Sequence, residues 1–151
     1  MPGNKMPKPY IVAVLPAYNE EIAIGTVILK AKKHTDEVIV VDDGSSDGTA
    51  HVAELAGAVV IKHGKNMGYG AAVKSCFQAA KDANADVLVI IDSDGQHNPD
   101  EIPTLISPIL SSDADMMIGS WFMKEETKRL IPRYRRVGIK ILTCLLYTSP
   151  S

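Results

Sequence analysis

Asp86-Val87-Leu88-Val89-Ile90-Ile91-Asp92-Ser93-Asp94-Gly95-Gln96-His97 is an apolar run that stops abruptly on two carboxylates. Its five apolar residues in succession leave no polar face, which is the pattern of a strand covered on both sides by helices. Runs of the same kind occur at Tyr10–Leu15, Glu37–Val41 and Ala58–Lys62, and a shorter fifth at Asp115–Ile118.

Helical periodicity fills the intervals. Glu20–Lys33 places Ile24, Val27, Ile28 and Ala31 on one face, and Thr49–Ala56 is a short helix with Asp47 as its cap and Gly57 as its stop. Tyr69–Asp82 carries Tyr69, Val73, Cys76, Phe77 and Ala80 at helical spacing, which predicts its buried face. A fourth helix opens at Asn98-Pro99-Asp100-Glu101, with a cap, a proline at the first position and acids in the first turn. Its apolar face is Ile102, Leu105, Ile106 and Ile109, and Pro103 and Pro108 are expected to kink or break it. Strands alternating with helices predict an α/β fold, a mostly parallel sheet with helices on both faces.

In such sheets ligands bind beyond the carboxyl ends of the strands. Four polar or glycine-rich segments fall there: Pro16-Ala17-Tyr18-Asn19-Glu20-Glu21, Asp42-Asp43-Gly44-Ser45-Ser46-Asp47-Gly48-Thr49, His63-Gly64-Lys65-Asn66-Met67-Gly68-Tyr69-Gly70, and Asp92–His97. Asp92 and Asp94, with Gln96 two residues on, are hard oxygen ligands suited to Mg2+ or Mn2+, and the same acids would equally serve as helix caps. Asp42-Asp43 opens a good turn sequence, yet adjacent acids repel, and a donor or a cation relieves that repulsion. A carboxylate there can accept from a base N–H or a ribose hydroxyl. Gly68 and Gly70 at a helix start admit a ligand close to backbone N–H groups, while Ala71 and Ala72 let the helix approach the sheet. His34, His51, His63 and His97 share no metal-ligand spacing; the first three read as surface or turn residues, and His97 matters only as the neighbour of Gln96.

At 151 residues, 46% hydrophobic and 23% charged, the chain suits one globular domain with a sizeable core. Cys76 and Cys144 form no zinc or disulfide pattern, which fits a reducing cytoplasm. The N-terminus has no apolar signal, and the longest apolar runs fall far short of the ~20 residues of a membrane helix. Residues 124–140 hold seven basic side chains against two acidic, a net +5 that leaves −7 for the rest. Such a segment is a solvated helix face or a surface for phosphates and anionic lipid head groups. Two other α/β functions fit poorly. A phosphoacceptor receiver places its acidic pair after the first strand, and a dinucleotide-binding module needs Gly-x-Gly-x-x-Gly there, where this chain has Pro16–Glu20.

Taken in order, Pro16–Glu21, Val41–Thr49, Asn66-Met67-Gly68-Tyr69-Gly70-Ala71-Ala72 and Asp92–His97 resemble the family 2 glycosyltransferases of GT-A fold. The branch most similar is that of the dolichyl-phosphate mannose and glucose synthases, and the resemblance runs from about Tyr10 to Thr143. It implies transfer of a sugar from a UDP- or GDP-sugar, with Mg2+ or Mn2+, to an acceptor such as a polyprenyl or dolichyl phosphate, or alternatively to a saccharide hydroxyl. On that resemblance Pro16, Tyr18, Glu20 and Asp43 hold the nucleoside, and Asp92 lies near the ribose and metal. Asp94 and Gln96 are metal ligands on the diphosphate, Asp94 also being catalytic, while Asp42 orders its loop. Gly119-Ser120-Trp121-Phe122 and Tyr134-Arg135-Arg136 look like the segment after the fifth strand. Where the family often has Gly-Ser-Arg this chain has Trp121, so the phosphate contact passes to Arg133, Arg135 or Arg136, with Arg135 the catalytic candidate.

The expected organisation is a disordered tail over 1–9, the glycosyltransferase domain over 10–143, and a non-native or truncated tail over 144–151. The chain is expected to be a fragment that binds donor but is inactive alone, because acceptor-binding structure is missing. It is expected in the cytoplasm, peripheral on the inner membrane face if the acceptor is a lipid, with no nucleic-acid partner.

Overall fold

A computed structural model describes residues 8–119. Four parallel strands form one sheet in the order β3-β2-β1-β4: β1 (Ile11–Ala17), β2 (Glu37–Asp42), β3 (Val59–Lys62) and β4 (Val87–Ile90). Helices α1 (Ile24–Ala31), α2 (Thr49–Leu55), α3 (Tyr69–Asp82) and α4 (Ile102–Leu110) alternate with them, and a 3-10 turn at Pro99–Glu101 leads into α4. The expected α/β architecture with a parallel sheet is present.

Period-two alternation along the central strand sorts the core into two layers. Ile11, Ala13, Leu15 and Ala17 face α1, α2 and α4, joined by Val38, Val40, Val87 and Val89. Val12 and Val14, with Ile39 and Val41, face α3. Every residue of β1 is therefore buried, which is why its sequence shows no polar face.

The α1 face is as expected, with Ile24, Val27, Ile28 and Ala31 buried. The helix itself is shorter than the periodicity suggests, because residues 20 and 21 bind the loop after β2 instead. The N–H of Glu20 donates to Thr49 Oγ1 at 2.7 Å, and Glu21 Oε2 accepts from the N–H of Gly48 at 2.6 Å. Asp47 Oδ1 accepts from the N–H of Thr49 at 3.0 Å at the start of α2, and Gly57, with φ +80°, ends it.

The face of α3 requires correction. Its buried residues are Ala72, Cys76, Ala79 and Ala80, whereas Tyr69 and Phe77 are exposed. These small side chains pack against Val12, Val14, Ile39 and Val41 and form the contact with the sheet. Cys76 is fully buried, and burial pushes its thiol up to about 12, so it is an inert core residue.

Neither proline breaks α4. Pro103 falls in the first turn, where its missing N–H has no partner to lose, and Pro108 lies two residues from the end. Asn98 caps the turn before it, accepting from the N–H of Asp100. Among the described residues the expected strand at Asp115–Ile118 has no ladder partner and is not formed, and Met116 and Met117 stand exposed.

From β1 the chain steps outward through β2 to β3, then returns to the other side of β1 for β4. The point where the order reverses, between β1 and β4, is where open α/β sheets form a crevice.

Candidate functional site

A cleft of about 410 Å³ opens at that switch point, lined by Pro16, Ala17, Tyr18 and Glu20 after β1, Asp43 after β2, Asn66 and Gly68 after β3, Tyr69 and Ala72 of α3, and Asp92, Ser93 and Asp94 after β4. Six of the seven described residues expected to bind donor or metal, Pro16, Tyr18, Glu20, Asp43, Asp92 and Asp94, thus line one cleft. Gln96 does not line it; its N–H donates to Asp94 Oδ1 at 2.8 Å. Arg135 lies outside the described residues, as do Trp121, Arg133 and Arg136.

Local chemistry holds the four loops together. Asn19 sits at φ +55°, a conformation its short polar side chain tolerates. Its N–H donates to Ser45 Oγ at 2.9 Å, and its Oδ1 accepts from the N–H of Ser46 at 2.9 Å. Asp42 Oδ1 accepts from the N–H of Ser45 at 3.0 Å, so Asp42 orders the loop as expected. Gly44, at φ +74°, lies against the backbone of Lys65 and Asn66. Beyond β4 the alternation of burial persists: Ser93 is buried and its hydroxyl donates to the carbonyl of Pro16 at 2.8 Å, while Asp92 and Asp94 on either side are more exposed.

Asp43 is the most deeply placed of these acids, 3% exposed. Its Oδ1 lies 2.6 Å from His63 Nδ1 and accepts from the N–H of Met67 at 2.9 Å; its Oδ2 accepts from the N–H of Gly68 at 2.8 Å. Burial pushes the carboxyl up, but the hydrogen bonds from His63, Met67 and Gly68 together outweigh it and hold the group below its ordinary range. A group lowered in this way adds stability that is complete above the unfolded carboxyl value of about 3.9 and is lost as pH falls through the folded value. Denaturation of Asp43→Asn between pH 2.5 and 6 should therefore show a shallower loss of stability on acidification than the parent chain. An unchanged slope would mean that Asp43 is not ionised in the folded state.

The opposite wall is acidic. Burial raises the Glu20 carboxyl, and the charges of Asp94 and Asp47 raise it further. Asp92 Oδ1 accepts from the Tyr69 hydroxyl at 3.1 Å, and His97 Nδ1 lies 3.4 Å from Asp92 Oδ2. Burial first, then the charge and hydrogen bonding of Asp92, keep the Tyr69 phenol protonated. Among the described residues no three His, Cys, Asp or Glu side chains gather as a complete metal site. A pair of carboxylates on one short loop could supply only part of a cation's donor set, the rest having to come from water or ligand oxygens.

Reasoning from sequence overlooked His63, Ser75, Tyr69 and Ser93. His63 is not a surface residue: its side chain is 12% exposed, and Nε2 lies 2.9 Å from Ser75 Oγ of α3. Register held the signal, since β2 and β3 end in step with Asp42 beside Lys62, which places His63 next to Asp43.

Residues 12–149 match the family model of glycosyl transferase family 2. The chain is similar to UDP-N-acetylglucosamine–dolichyl-phosphate N-acetylglucosaminyltransferase of Methanococcus voltae, 32% identical over 90% of this chain and 62% of that one. Polyprenol monophosphomannose synthase of Mycolicibacterium smegmatis is 33% identical over 90% of this chain and 54% of its own length. Among solved structures, glucosyl-3-phosphoglycerate synthase from Mycobacterium tuberculosis with Mn2+, UDP and glucosyl-3-phosphoglycerate superimposes with a TM-score of 0.57 and 34% identity, covering 68% of this chain and 40% of that one. The same synthase has also been solved with Mg2+ and UDP. The chain thus spans between half and two thirds of the two transferases' lengths.

Proposed function

The chain belongs to glycosyl transferase family 2 and has its GT-A fold, and from that membership we propose that the cleft binds a nucleoside diphosphate sugar with a divalent cation, for transfer of the sugar. The observation that carries this reading is the convergence of four loops on one cleft, with a buried ionised carboxylate on one wall and Glu20, Asp92 and Asp94 on the other. Residues 10–143 are proposed as the domain responsible.

In this reading Pro16, Tyr18, Glu20 and Asp43 hold the nucleoside. Asp92 lies by the ribose and the cation, and Asp94 and Gln96 attend the cation and the diphosphate. The residues present fit Mg2+ or Mn2+, which when bound would supply Lewis-acid compensation for charge building on the diphosphate. The bond from the anomeric carbon to the diphosphate breaks, and its electron pair leaves with the nucleoside diphosphate. A lipid phosphate acceptor forms the new bond through an oxygen that is already largely ionised, its second pKa being about 6, so no strong base is needed. Arg135 is proposed beside the leaving diphosphate.

A polyprenyl or dolichyl phosphate acceptor is supported by the names of the two relatives above. The same lipid-phosphate acceptors are the ground for proposing a peripheral placement on the cytoplasmic membrane face; among the described residues no helix is long and apolar enough to cross a membrane. A hydroxyl acceptor is the second reading, favoured by the solved synthase bound to glucosyl-3-phosphoglycerate. Release of nucleoside diphosphate from UDP-glucose or GDP-mannose separates the two. Acceleration by polyprenyl phosphate supports the first, and acceleration by a hydroxyl acceptor alone supports the second.

Donor binding has its own test. An ionised Asp43 only accepts, and its proposed partner is the ring N–H of uracil or guanine; adenine and cytosine lack that N–H and offer only an exocyclic amine at a different place on the base edge. With Mn2+ present, UDP or GDP should bind roughly tenfold or more tightly than ADP and CDP, the worth of one hydrogen bond to a charged group. Equal binding of all four would remove the base-reading role of Asp43.

A further inference from the structure

We infer that His63 is a positioning residue for the nucleoside, fixing the direction from which Asp43 accepts a hydrogen bond; the inference rests on the nucleotide-binding reading above. An ionised carboxylate offers about four acceptor sites. At Asp43 three are filled, two on Oδ1 by His63 Nδ1 and the Met67 N–H, and one on Oδ2 by the Gly68 N–H. The site that remains is on Oδ2, and Asp43 lines the cleft.

The imidazole is itself held from two sides. The N–H of His63 donates to the carbonyl of Asp42 at 2.8 Å, which continues the β2–β3 ladder and sets the ring beside Asp43. Behind it, Nε2 meets Ser75 Oγ on α3 at 2.9 Å. The Asp43 carboxylate already accepts from two backbone N–H groups, and Nδ1 takes the matching role as donor of the 2.6 Å contact. The carboxylate is thereby pinned between a side chain on β3's end and two backbone N–H groups of the loop before α3. Gly68 holds that loop at φ +91°, where a side chain is strained. Without the imidazole, Asp43 keeps two backbone donors but gains freedom to turn about them, and its open acceptor site no longer has one direction. His63 touches Asp43 rather than the ligand, so its effect passes through Asp43 alone.

The amide nitrogen of asparagine sits near where Nδ1 lies in histidine, and that of glutamine near Nε2. His63→Asn therefore keeps the donor to Asp43 and loses the contact to Ser75, whereas His63→Gln does the reverse. The 151-residue chain and both variants are titrated, with Mn2+, against whichever of UDP and GDP the parent binds more tightly, and separately against inorganic pyrophosphate. Thermal melts accompany each variant. His63→Asn should bind the nucleotide within about threefold of the parent, and His63→Gln roughly tenfold more weakly, the size of one charge-assisted hydrogen bond. Pyrophosphate affinity should be the same in all three. Equal nucleotide affinity across the three chains overturns the inference, as does a parallel fall for nucleotide and pyrophosphate that follows the melting temperature. If the parent binds neither nucleotide, the nucleotide-binding reading fails and takes the inference with it.

Discussion

Gly44→Ala is expected to lower the stability of the chain by about 3 kcal/mol or more and to remove nucleotide binding along with it. Gly44 adopts φ +74°, and a Cβ built there would lie 2.4 Å from the carbonyl carbon of Lys65 and 2.6 Å from the nitrogen of Asn66. A left-handed conformation costs an L-residue about 1–2 kcal/mol. The clash adds more, because its partners are backbone atoms that cannot rotate away, and forced expansion of a packed region costs about 1–3 kcal/mol. The segments that must separate carry Asp43 on one side and Asn66 and Gly68 on the other. Urea denaturation measures the stability and UDP titration the site. Gly64→Ala is the matched control: its Cβ meets nothing within 4 Å, and its cost should stay within about 0.5 kcal/mol. Comparable losses in the two variants would mean that the contact between the loops after β2 and β3 is not what holds the cleft.

The second large effect is at Asp94. Asp94→Ala should bring UDP affinity in Mn2+ down to the level found with a chelator, a loss of roughly tenfold or more if one carboxylate–cation contact is removed. The same variant should be at least as stable as the parent without metal. Asp94 is exposed, and its charge raises the proton affinity of Glu20 on the same wall of the cleft, which marks a repulsion that alanine relieves. Weaker metal-assisted binding in a chain of equal or greater stability separates a ligand role from a structural one. If the variant keeps a full Mn2+ effect, Asp94 is a turn residue that accepts from the N–H of Gln96 and nothing more.

Much of this architecture was legible in the sequence because burial on both faces leaves a plain mark. The strands β1, β2 and β4 read as unbroken apolar runs, and the polar loops after them fall where a parallel sheet binds ligands. Three features were not legible, each for a physical reason. Helical spacing offered two stripes on α3, and hydrophobicity favoured the one with Tyr69, Val73 and Phe77. The sheet instead packs against the stripe of Ala72, Cys76, Ala79 and Ala80, a choice between faces that periodicity does not encode. His63 shows no motif, since its importance comes from standing beside Asp43 across a strand pair, and only the register of β2 and β3 reveals that. Asp115–Ile118 has the local composition of a strand, yet no described strand lies beside it, and pairing is not written in local composition. Ser93 is a milder case: alternation carried past the end of β4 would have placed Asp92 and Asp94 on one side and Ser93 on the other.

The same considerations make Gly44, His63 and Ser93 parts of a single arrangement. Gly44 lets the loops after β2 and β3 meet, His63 and the loop before α3 pin Asp43, and Ser93 ties the Asp92–Asp94 loop to Pro16. The two walls of the cleft are thus preset before any ligand arrives, which reduces the ordering cost of binding.

The central claim is that the two walls act together on one ligand, a nucleoside diphosphate whose phosphates share a cation with the Asp92–Asp94 loop. Calorimetric titration of the chain with UDP and with GDP, once with Mn2+ and once with excess chelator, tests it most directly. The account predicts that at least one of the two binds, and binds roughly tenfold or more tightly with Mn2+. Equal affinity with metal and with chelator, or no binding of either nucleotide, would contradict it.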